Sequence, residues 1–175
     1  MAYMHKLGSI NMDKEGLEKI HIDLPNHWAV GGESMWAEPL GNDLYKIENV
    51  PFYAYGLNFQ DIVRATSDSD ELKPEIRELI MLSGHRTFRI FFNKEVNKEK
   101  QEKILESFRK LHVSYERADK IYVALDMKPE GDYQAVFDKL EEHEKQDVLG
   151  FETCEARIEG SFDDLPEDEE NITSA

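Results

Sequence analysis

Residues 34–47, SMWAEPLGNDLYKI, decide the fold of the N-terminal half of this chain. Two runs that mix apolar, aromatic and polar residues flank the triplet Gly41-Asn42-Asp43. Glycine and asparagine tolerate the left-handed backbone dihedrals that tight turns often use. The stretch therefore predicts a β-hairpin. Upstream, residues 19–24 alternate apolar with polar side chains and predict a first strand that ends at Pro25.

Downstream of the hairpin, further short β segments extend the same half. Residues 50–56, VPFYAYG, are aromatic and are predicted to cross the end of a small barrel, and residues 61–65 supply another strand. Residues 75–82 fit either a strand or a helical turn. The strand is favoured because residues 83–85 resemble a reversal into the β-branched and aromatic run 87–92. Together these pieces predict a strongly bent barrel whose interior is filled by aromatic side chains.

The C-terminal half shows helical spacing. Asn97 is a suitable cap for a helix from Lys98 to about Arg117. Its predicted apolar face contains Ile104, Leu105, Phe108, Leu111 and Tyr115. A buried strand over 120–127, a second helix from Tyr133 to about Lys145 and a final strand over 151–158 follow. Strand–helix–strand order implies a right-handed crossover if the two strands are parallel neighbours.

The predicted fold class is α+β, a small bent β-barrel-like N-terminal half joined to a β-α-β-α-β layered C-terminal half. The predicted divisions are an N-terminal arm with the first strand (1–32), a barrel-like subdomain (33–82), an α/β subdomain (83–160) and a disordered acidic tail (161–175).

Charge is the dominant feature of the composition. The 37 Asp and Glu residues outnumber 21 Lys and Arg residues, which gives a formal net charge of -16 over 175 residues. Such a field attracts basic protein surfaces and repels nucleic-acid phosphates and anionic lipid surfaces. We therefore expect a basic protein partner, and neither nucleic acid nor membrane. The single cysteine, Cys154, indicates a reducing compartment, and with no signal peptide or spanning run the expected location is the cytoplasm.

No catalytic, metal or cofactor motif is present in the sequence. It has no glycine-rich phosphate loop, nucleophile-elbow serine or paired-cysteine spacing, and its six histidines match no ligand pattern. His85 follows Gly84, so it either makes a local backbone hydrogen bond or lies in an active site. An aromatic group fits either core packing or a small-molecule pocket. Its members are Trp36, Phe52, Tyr53, Tyr55 and Phe59.

Acidic residues are the candidate partner-binding groups. Two runs, residues 68–71 and 163–170, are either solvated surface or docking surface for a basic partner. The full candidate set, which includes two residues of the second helix, is Asp68, Asp70, Glu71, Glu141, Glu142, Asp163 and Asp164.

Four short motifs occur in an order that resembles a bacterial family known as domain of unknown function 4265. They are Ser34 to Leu40, Val50 to Gly56, Asp61 to Ala65 and Ser83 to Thr87. The resemblance covers roughly Glu33 to Ile158. It implies a small bacterial cytoplasmic protein and brings no established catalytic residues.

The leading functional hypothesis is a non-catalytic inhibitor, an antitoxin-like immunity protein that occludes the active site of a basic toxin domain. Toxins that act on nucleic acids often have basic clefts, and surplus carboxylates can mimic the phosphates that bind there. The alternative is a small-molecule-binding or enzymatic domain that uses the aromatic pocket and His85. A third hypothesis is a regulatory adaptor whose acidic tail docks on another protein.

Overall fold

The structure is a computed structural model and describes residues 16–164. The first five elements are the strands β1 Glu18–Asp23, β2 Gly32–Gly41, β3 Leu44–Ile47, β4 Ile62–Thr66 and β5 Glu75–Met81. The remainder are β6 Arg86–Phe92, α1 Lys98–Ser107, a 3-10 helix Arg109–Leu111, β7 Val113–Arg117, β8 Tyr122–Met127, α2 Tyr133–Lys145 and β9 Leu149–Thr153. The predicted α+β class is confirmed.

Strands β1 to β5 form a closed barrel in chain order. The β2–β3 hairpin has the predicted turn, in which Asn42 and Asp43 adopt positive φ angles of 55° and 62°. The barrel closes through a short parallel contact between β1 and β5, where His21 is paired with Glu75. The strand interpretation of residues 75–82 is therefore the correct one.

The barrel core is aliphatic, which corrects the prediction of an aromatic interior. Its buried residues are Ile20, Ile22, Leu24, Met35, Ala37, Ile47, Ala54, Leu57, Val63, Ala65 and Ile76. Because successive side chains of a strand point to opposite faces, burial of Ile20 and Ile22 turns His21 and Asp23 outward. The aromatic residues Tyr45, Tyr53 and Phe162 are only partly buried and pack against this aliphatic core.

Strands β6 to β9 form a four-stranded antiparallel sheet in the order β7-β8-β6-β9. With the two helices, the chain order is β-α-β-β-α-β, which is the ferredoxin-like arrangement. The prediction of a single helix to Arg117 is wrong, since α1 ends at Ser107 and β7 follows. The C-terminal half therefore has one more strand than predicted. Strand β8 lies between β6 and β7, so the strands that α1 connects are not neighbours.

The two helices cover one face of this sheet. Phe88, Ile90 and Phe92 of β6 pack with the buried helix residues Leu105 and Leu140. Asn97 and Asp132 cap the helices, each accepting a hydrogen bond from the backbone N–H three residues on. The alternate residues of β6 lie on the other face, which faces the barrel.

The segment that follows β9 returns to the barrel half and forms hydrogen bonds with it. Cys154 and Phe162 accept hydrogen bonds from the Gly56 and Tyr55 backbone N–H groups at 2.7 Å and 2.8 Å. Asp163 is only 7% exposed and accepts a 2.7 Å hydrogen bond from the Asn26 N–H. Residues 161–164 thus pack on the barrel rather than opening a disordered tail, and β1 belongs to the barrel rather than to a separate arm.

The rest of the predicted tail, residues 165–175, and residues 1–15 of the predicted arm lie outside the described residues. In residues 16–164, no helix has the length and apolar content needed to cross a bilayer.

Candidate functional site

A groove of about 600 Å³ runs along the outside of the barrel where β1 meets β5. The outward residues of β1 and β5, the start of β2 and the β4–β5 loop form its walls. Its ionisable lining residues are His21, Asp23, Glu33, Asp68, Glu71, Lys73, Glu75 and Arg77. We call this feature the acidic groove because carboxylates outnumber cations in it.

The cations of the acidic groove are partly engaged within the protein. Arg77 forms an ion pair with Glu75 at 2.9 Å, and Lys73 Nζ lies 3.4 Å from the Ser34 hydroxyl. Asp68 and Glu71 are exposed and form no ion pair within residues 16–164. Leu72, which lines the same groove, is 59% exposed. The groove therefore presents unneutralised carboxylates beside an exposed apolar side chain.

Three side chains at the barrel seam form a potential cation-binding cluster. His21, Asp23 and Glu75 each place one ligand atom within 4.8 Å of the others. Sequence analysis missed this cluster. The alternation of apolar and polar residues in β1 predicts that His21 and Asp23 point outward. Glu75 lies beside them only because β5 pairs with β1 at His21, which the local sequence does not reveal. Because Arg77 already contacts Glu75, the protein itself supplies a cation to the cluster.

Glu33 has a different role from the other carboxylates of the groove. Its carboxylate accepts hydrogen bonds from three successive backbone N–H groups, those of Phe52 at 2.6 Å, Tyr53 at 3.0 Å and Ala54 at 2.9 Å. Burial raises the pKa of Glu33, and these donors oppose that effect. Glu33 thus fixes the segment after β3 in place, and we assign it a structural role.

The structure does not bring all seven predicted partner-binding residues together. Asp68 and Glu71 line the acidic groove, and Asp70 lies between them on the same exposed loop. The other four residues do not line the groove. They are Glu141 and Glu142 on α2, and Asp163 and Asp164 after β9.

The four remote residues differ in how they are held. Glu141 forms an ion pair with Lys145 along one helix face at 3.3 Å, and Glu142 is exposed. Asp163 is buried and bonded to backbone N–H groups, so it cannot offer its charge to a partner. Asp164 is close to Arg157, at 3.9 Å. Of the predicted set, Asp68, Asp70 and Glu71 therefore share one exposed loop, and the other four residues lie elsewhere on the protein.

His85 is hydrogen-bonded to a buried carboxylate. Its Nδ1 lies 2.9 Å and 3.0 Å from the two oxygens of Asp126, and its side chain is 12% exposed. Burial raises the pKa of Asp126, and the hydrogen bond from His85 opposes this. A carboxylate on Nδ1 orients an imidazole and leaves Nε2 as a proton acceptor. The pair has the geometry of an acid–base group, although its backbone N–H also makes the predicted local bond, to the Ser83 hydroxyl at 3.1 Å.

The predicted aromatic group does not form one pocket. Phe59 packs edge-on against His85 at 5.2 Å. Phe52 and Tyr53 both contact Tyr122, at 6.1 Å and 5.6 Å between ring centres. The other two rings lie beside cations, since Trp36 is under Lys19 and Tyr55 is next to Arg89. Four of the five side chains therefore lie where the barrel half meets the sheet half, whereas Trp36 faces Lys19 of the neighbouring barrel strand β1.

A polar layer separates the barrel from the sheet. Arg89 on β6 is fully buried and donates to the Pro51 and Ala54 carbonyls at 3.3 Å and 2.9 Å, and to Glu152 at 2.9 Å. The Tyr55 hydroxyl donates to Glu152 at 2.7 Å. Beside them, burial raises the pKa of the Cys154 thiol to about 12, which excludes a reactive thiolate at neutral pH. This layer joins the two units through buried polar contacts.

Fold and groove together define an acidic α+β protein in which a small closed barrel is joined to a ferredoxin-like unit. The chain belongs to the family described as "Domain of unknown function (DUF4265)", which matches residues 33–151. The resemblance drawn from the four short motifs is confirmed.

The chain is also similar to a solved structure described as "Novel crystal structure of a hypothetical protein from Neisseria gonorrhoeae". The two share 16% sequence identity with a TM-score of 0.69, and the match covers 79% of this chain and 94% of that one. At this identity the likeness establishes the fold alone. No curated protein matches the chain.

Proposed function

We propose that this chain is a non-catalytic, cytoplasmic binding protein whose acidic groove accommodates a basic segment of a partner protein. The observation that carries the proposal is the meeting of Asp68 and Glu71 with the outward residues Asp23 and Glu75 in one groove. Carboxylates concentrated on one side of a groove raise the association rate with a cationic surface and select the partner.

The partner segment is expected to combine lysine or arginine with an apolar residue. Leu72 is exposed and lines the same groove as Asp68 and Glu71, so it offers an apolar contact within a charged site. Interface energy usually concentrates in such a contact surrounded by polar groups. A basic amphipathic loop or strand end matches this chemistry, while a nucleic acid does not, because its phosphates would face the carboxylates.

The particular partner that we propose is a toxin domain with a basic active cleft, which makes this chain a bacterial immunity protein. The support is electrostatic. A protein with a net charge of -16 presents an acidic groove, and cationic clefts that bind phosphate esters are complementary to it. Occupying such a cleft excludes the substrate and inhibits the toxin without any chemistry by the inhibitor.

Binding to the product of the adjacent gene tests the proposal. Calorimetric titration at low and at molar sodium chloride is expected to show a complex that weakens with salt, since screening acts on exposed charges. Replacing Asp68→Asn together with Glu71→Gln should lower the affinity about tenfold and flatten the salt dependence.

The matched control is the double variant Glu141→Gln, Glu142→Gln, which removes two carboxylates from α2. It should bind like the unchanged protein. The proposal fails if no complex forms, if the complex persists unchanged in molar salt, or if the α2 variant loses affinity while the groove variant does not.

A second candidate function is favoured by the pairing of His85 with Asp126. Many acid–base sites combine a histidine with a buried carboxylate that orients its ring. If the chain binds a metabolite there, a metabolite retained by the unchanged protein should be lost from the His85→Ala variant. Retention of the same metabolite by both proteins would remove this candidate.

A further inference from the structure

A second groove, on the sheet unit, has the opposite electrostatic character. It has a volume of about 1100 Å³ and lies where the β6–α1 connection and the first turn of α1 face the β7–β8 hairpin. Its lining residues are Lys94, Val96, Lys98, Gln101, Glu102, Arg117, Ala118, Asp119, Lys120 and Ile121. Four of these are cations and two are carboxylates, in a chain whose overall charge is -16. We call it the lysine pocket.

The carboxylates of the lysine pocket are already satisfied within the protein. Glu102 accepts hydrogen bonds from Arg117 at 3.0 Å and from the Tyr115 hydroxyl at 2.9 Å. Asp119 accepts two backbone N–H bonds, from Ile121 and Tyr122, both at 2.8 Å. The two carboxylates are therefore engaged in hydrogen bonds that hold the fold, and they do little to neutralise the lysines.

The three lysines of the pocket, in contrast, have no carboxylate partner within residues 16–164. Lys94, Lys98 and Lys120 are exposed, and none of them forms an ion pair with a carboxylate of residues 16–164. Carboxylates are abundant in this chain, so three unpaired ammonium groups around one pocket are a departure from its general charge pattern. The partial positive charge at the N-terminus of α1 acts in the same direction.

The interior of the pocket is apolar and its deeper wall is ordered. Val96 and Ile121 pack against the core of the sheet unit, and Ala118 adds a small side chain that leaves space. Gln101 is 4% exposed and bonded at both ends, to the Val96 carbonyl at 3.1 Å and to Arg117 at 3.0 Å. The Arg117 Nε is buried and has no hydrogen-bond partner in residues 16–164. An apolar floor with a few fixed polar groups is typical of small-molecule sites.

We propose that the lysine pocket binds a small amphipathic anion, whose apolar body lies on Val96, Ala118 and Ile121 and whose carboxylate or phosphate lies among Lys94, Lys98 and Lys120. This site goes beyond the proposed partner-binding function, and it lies on the other unit of the fold. A ligand there leaves the acidic groove free.

Octanoate is the probe, and octanol is the uncharged control with a chain of the same length. Two-dimensional proton–nitrogen NMR of the full chain should show octanoate shifting the amide signals of residues 94–102 and 117–121. Octanol should bind at least about tenfold more weakly, because it lacks the charge that the lysines recognise.

Three variants assign the binding to this pocket. The triple variant Lys94→Gln, Lys98→Gln, Lys120→Gln should weaken octanoate binding about tenfold, because it removes three exposed charges that attract the carboxylate. The triple variant Lys100→Gln, Lys110→Gln, Lys128→Gln changes the net charge equally with exposed lysines outside the pocket, and should bind normally. Ala118→Trp should fill the pocket and abolish the shifts.

The proposal is overturned if octanoate shifts no signal in the two ranges, if octanol binds as tightly as octanoate, or if both triple variants bind equally. None of these outcomes tests partner binding in the acidic groove, so the two proposals are tested independently.

Discussion

The Glu116 carboxyl lies on β7, on the side of the sheet that faces the barrel, near Asp126 and Glu33. Burial, reinforced by these two acidic neighbours, raises its pKa to about 7, although a hydrogen bond from the Val50 backbone opposes the shift. A carboxyl whose pKa is higher in the folded than in the unfolded state binds a proton more tightly when folded. Its stabilising effect is complete below the unfolded pKa, near 4.5, and is lost as the pH rises through about 7.

Replacing Glu116→Gln should therefore change the pH dependence of stability. The neutral amide is expected to raise the free energy of unfolding at about pH 8 by about 1–3 kcal/mol, because one pKa unit corresponds to about 1.4 kcal/mol. Near pH 4.5 the variant and the unchanged protein should be similarly stable. Urea titrations at both pH values measure the difference. An equal effect at the two pH values would mean that packing, rather than charge, distinguishes the side chains.

Individual site residues differ in how far the sequence reveals them. Asp68 and Glu71 stand in a visible acidic run, so their exposure on a loop was predictable. Arg89 was not, since a charged residue between Phe88 and Ile90 in a strand normally marks the solvent face. Its burial depends on carbonyls of the barrel, more than 30 residues away in sequence, that accept its hydrogen bonds. Local pattern carries no information about such a partner.

The helix α1 and the strand β7 show why an apolar period can mislead. Leu111 and Tyr115 fit the face of the predicted long helix because they are spaced by four residues. The same spacing also fits a strand, and in the structure Val113 and Tyr115 alternate onto one face of β7 while Leu111 ends the 3-10 helix and packs against the same core. By contrast, α2 was predicted with its correct bounds, because Asp132 marks its start and no competing period is present.

A left-handed residue enforces the change from helix to strand. His112 follows the 3-10 turn with φ 61° and ψ 37°, a conformation that favours glycine and is unfavourable for β-branched residues. Replacing His112→Gly should leave the protein about 1 kcal/mol more stable than His112→Ala, which removes the same imidazole but keeps a Cβ. His112→Val should be the least stable of the three. Thermal and urea unfolding of these variants measure the order, and equal stability of the glycine and alanine variants would exclude backbone strain at this position.

The barrel and the ferredoxin-like unit are joined by polar groups and aromatic contacts rather than by one shared apolar core. The two apolar clusters are separate, one inside the barrel and one between the sheet and the helices. Across the contact, Arg89 reaches two barrel carbonyls, and the Tyr122 hydroxyl donates to the Phe52 carbonyl. The sequence predicted the two halves but not this connection, because every bond in it joins residues that are distant along the chain. Breaking a buried polar contact of this kind lowers the stability of the protein. Each group left unpaired has given up its hydrogen bonds to water and has no bond within the protein to replace them.

We expect the two units to unfold together, and the chain offers a separate probe for each. Both tryptophans, Trp28 and Trp36, lie in the barrel half, whereas α1 and α2 lie in the other half. Tryptophan fluorescence and far-ultraviolet circular dichroism should therefore give one common urea midpoint. Arg89→Met should lower both midpoints alike, with a loss of about 3–5 kcal/mol, because it leaves two barrel carbonyls without this donor and Glu152 without its buried cation. Arg64→Met is the matched control, since Arg64 forms an exposed ion pair with Glu78 on the barrel, and this substitution should cost under about 1 kcal/mol.

If Arg89→Met shifts the dichroism transition while the fluorescence transition stays in place, the barrel is an independent folding unit and the polar layer does not couple it to the sheet.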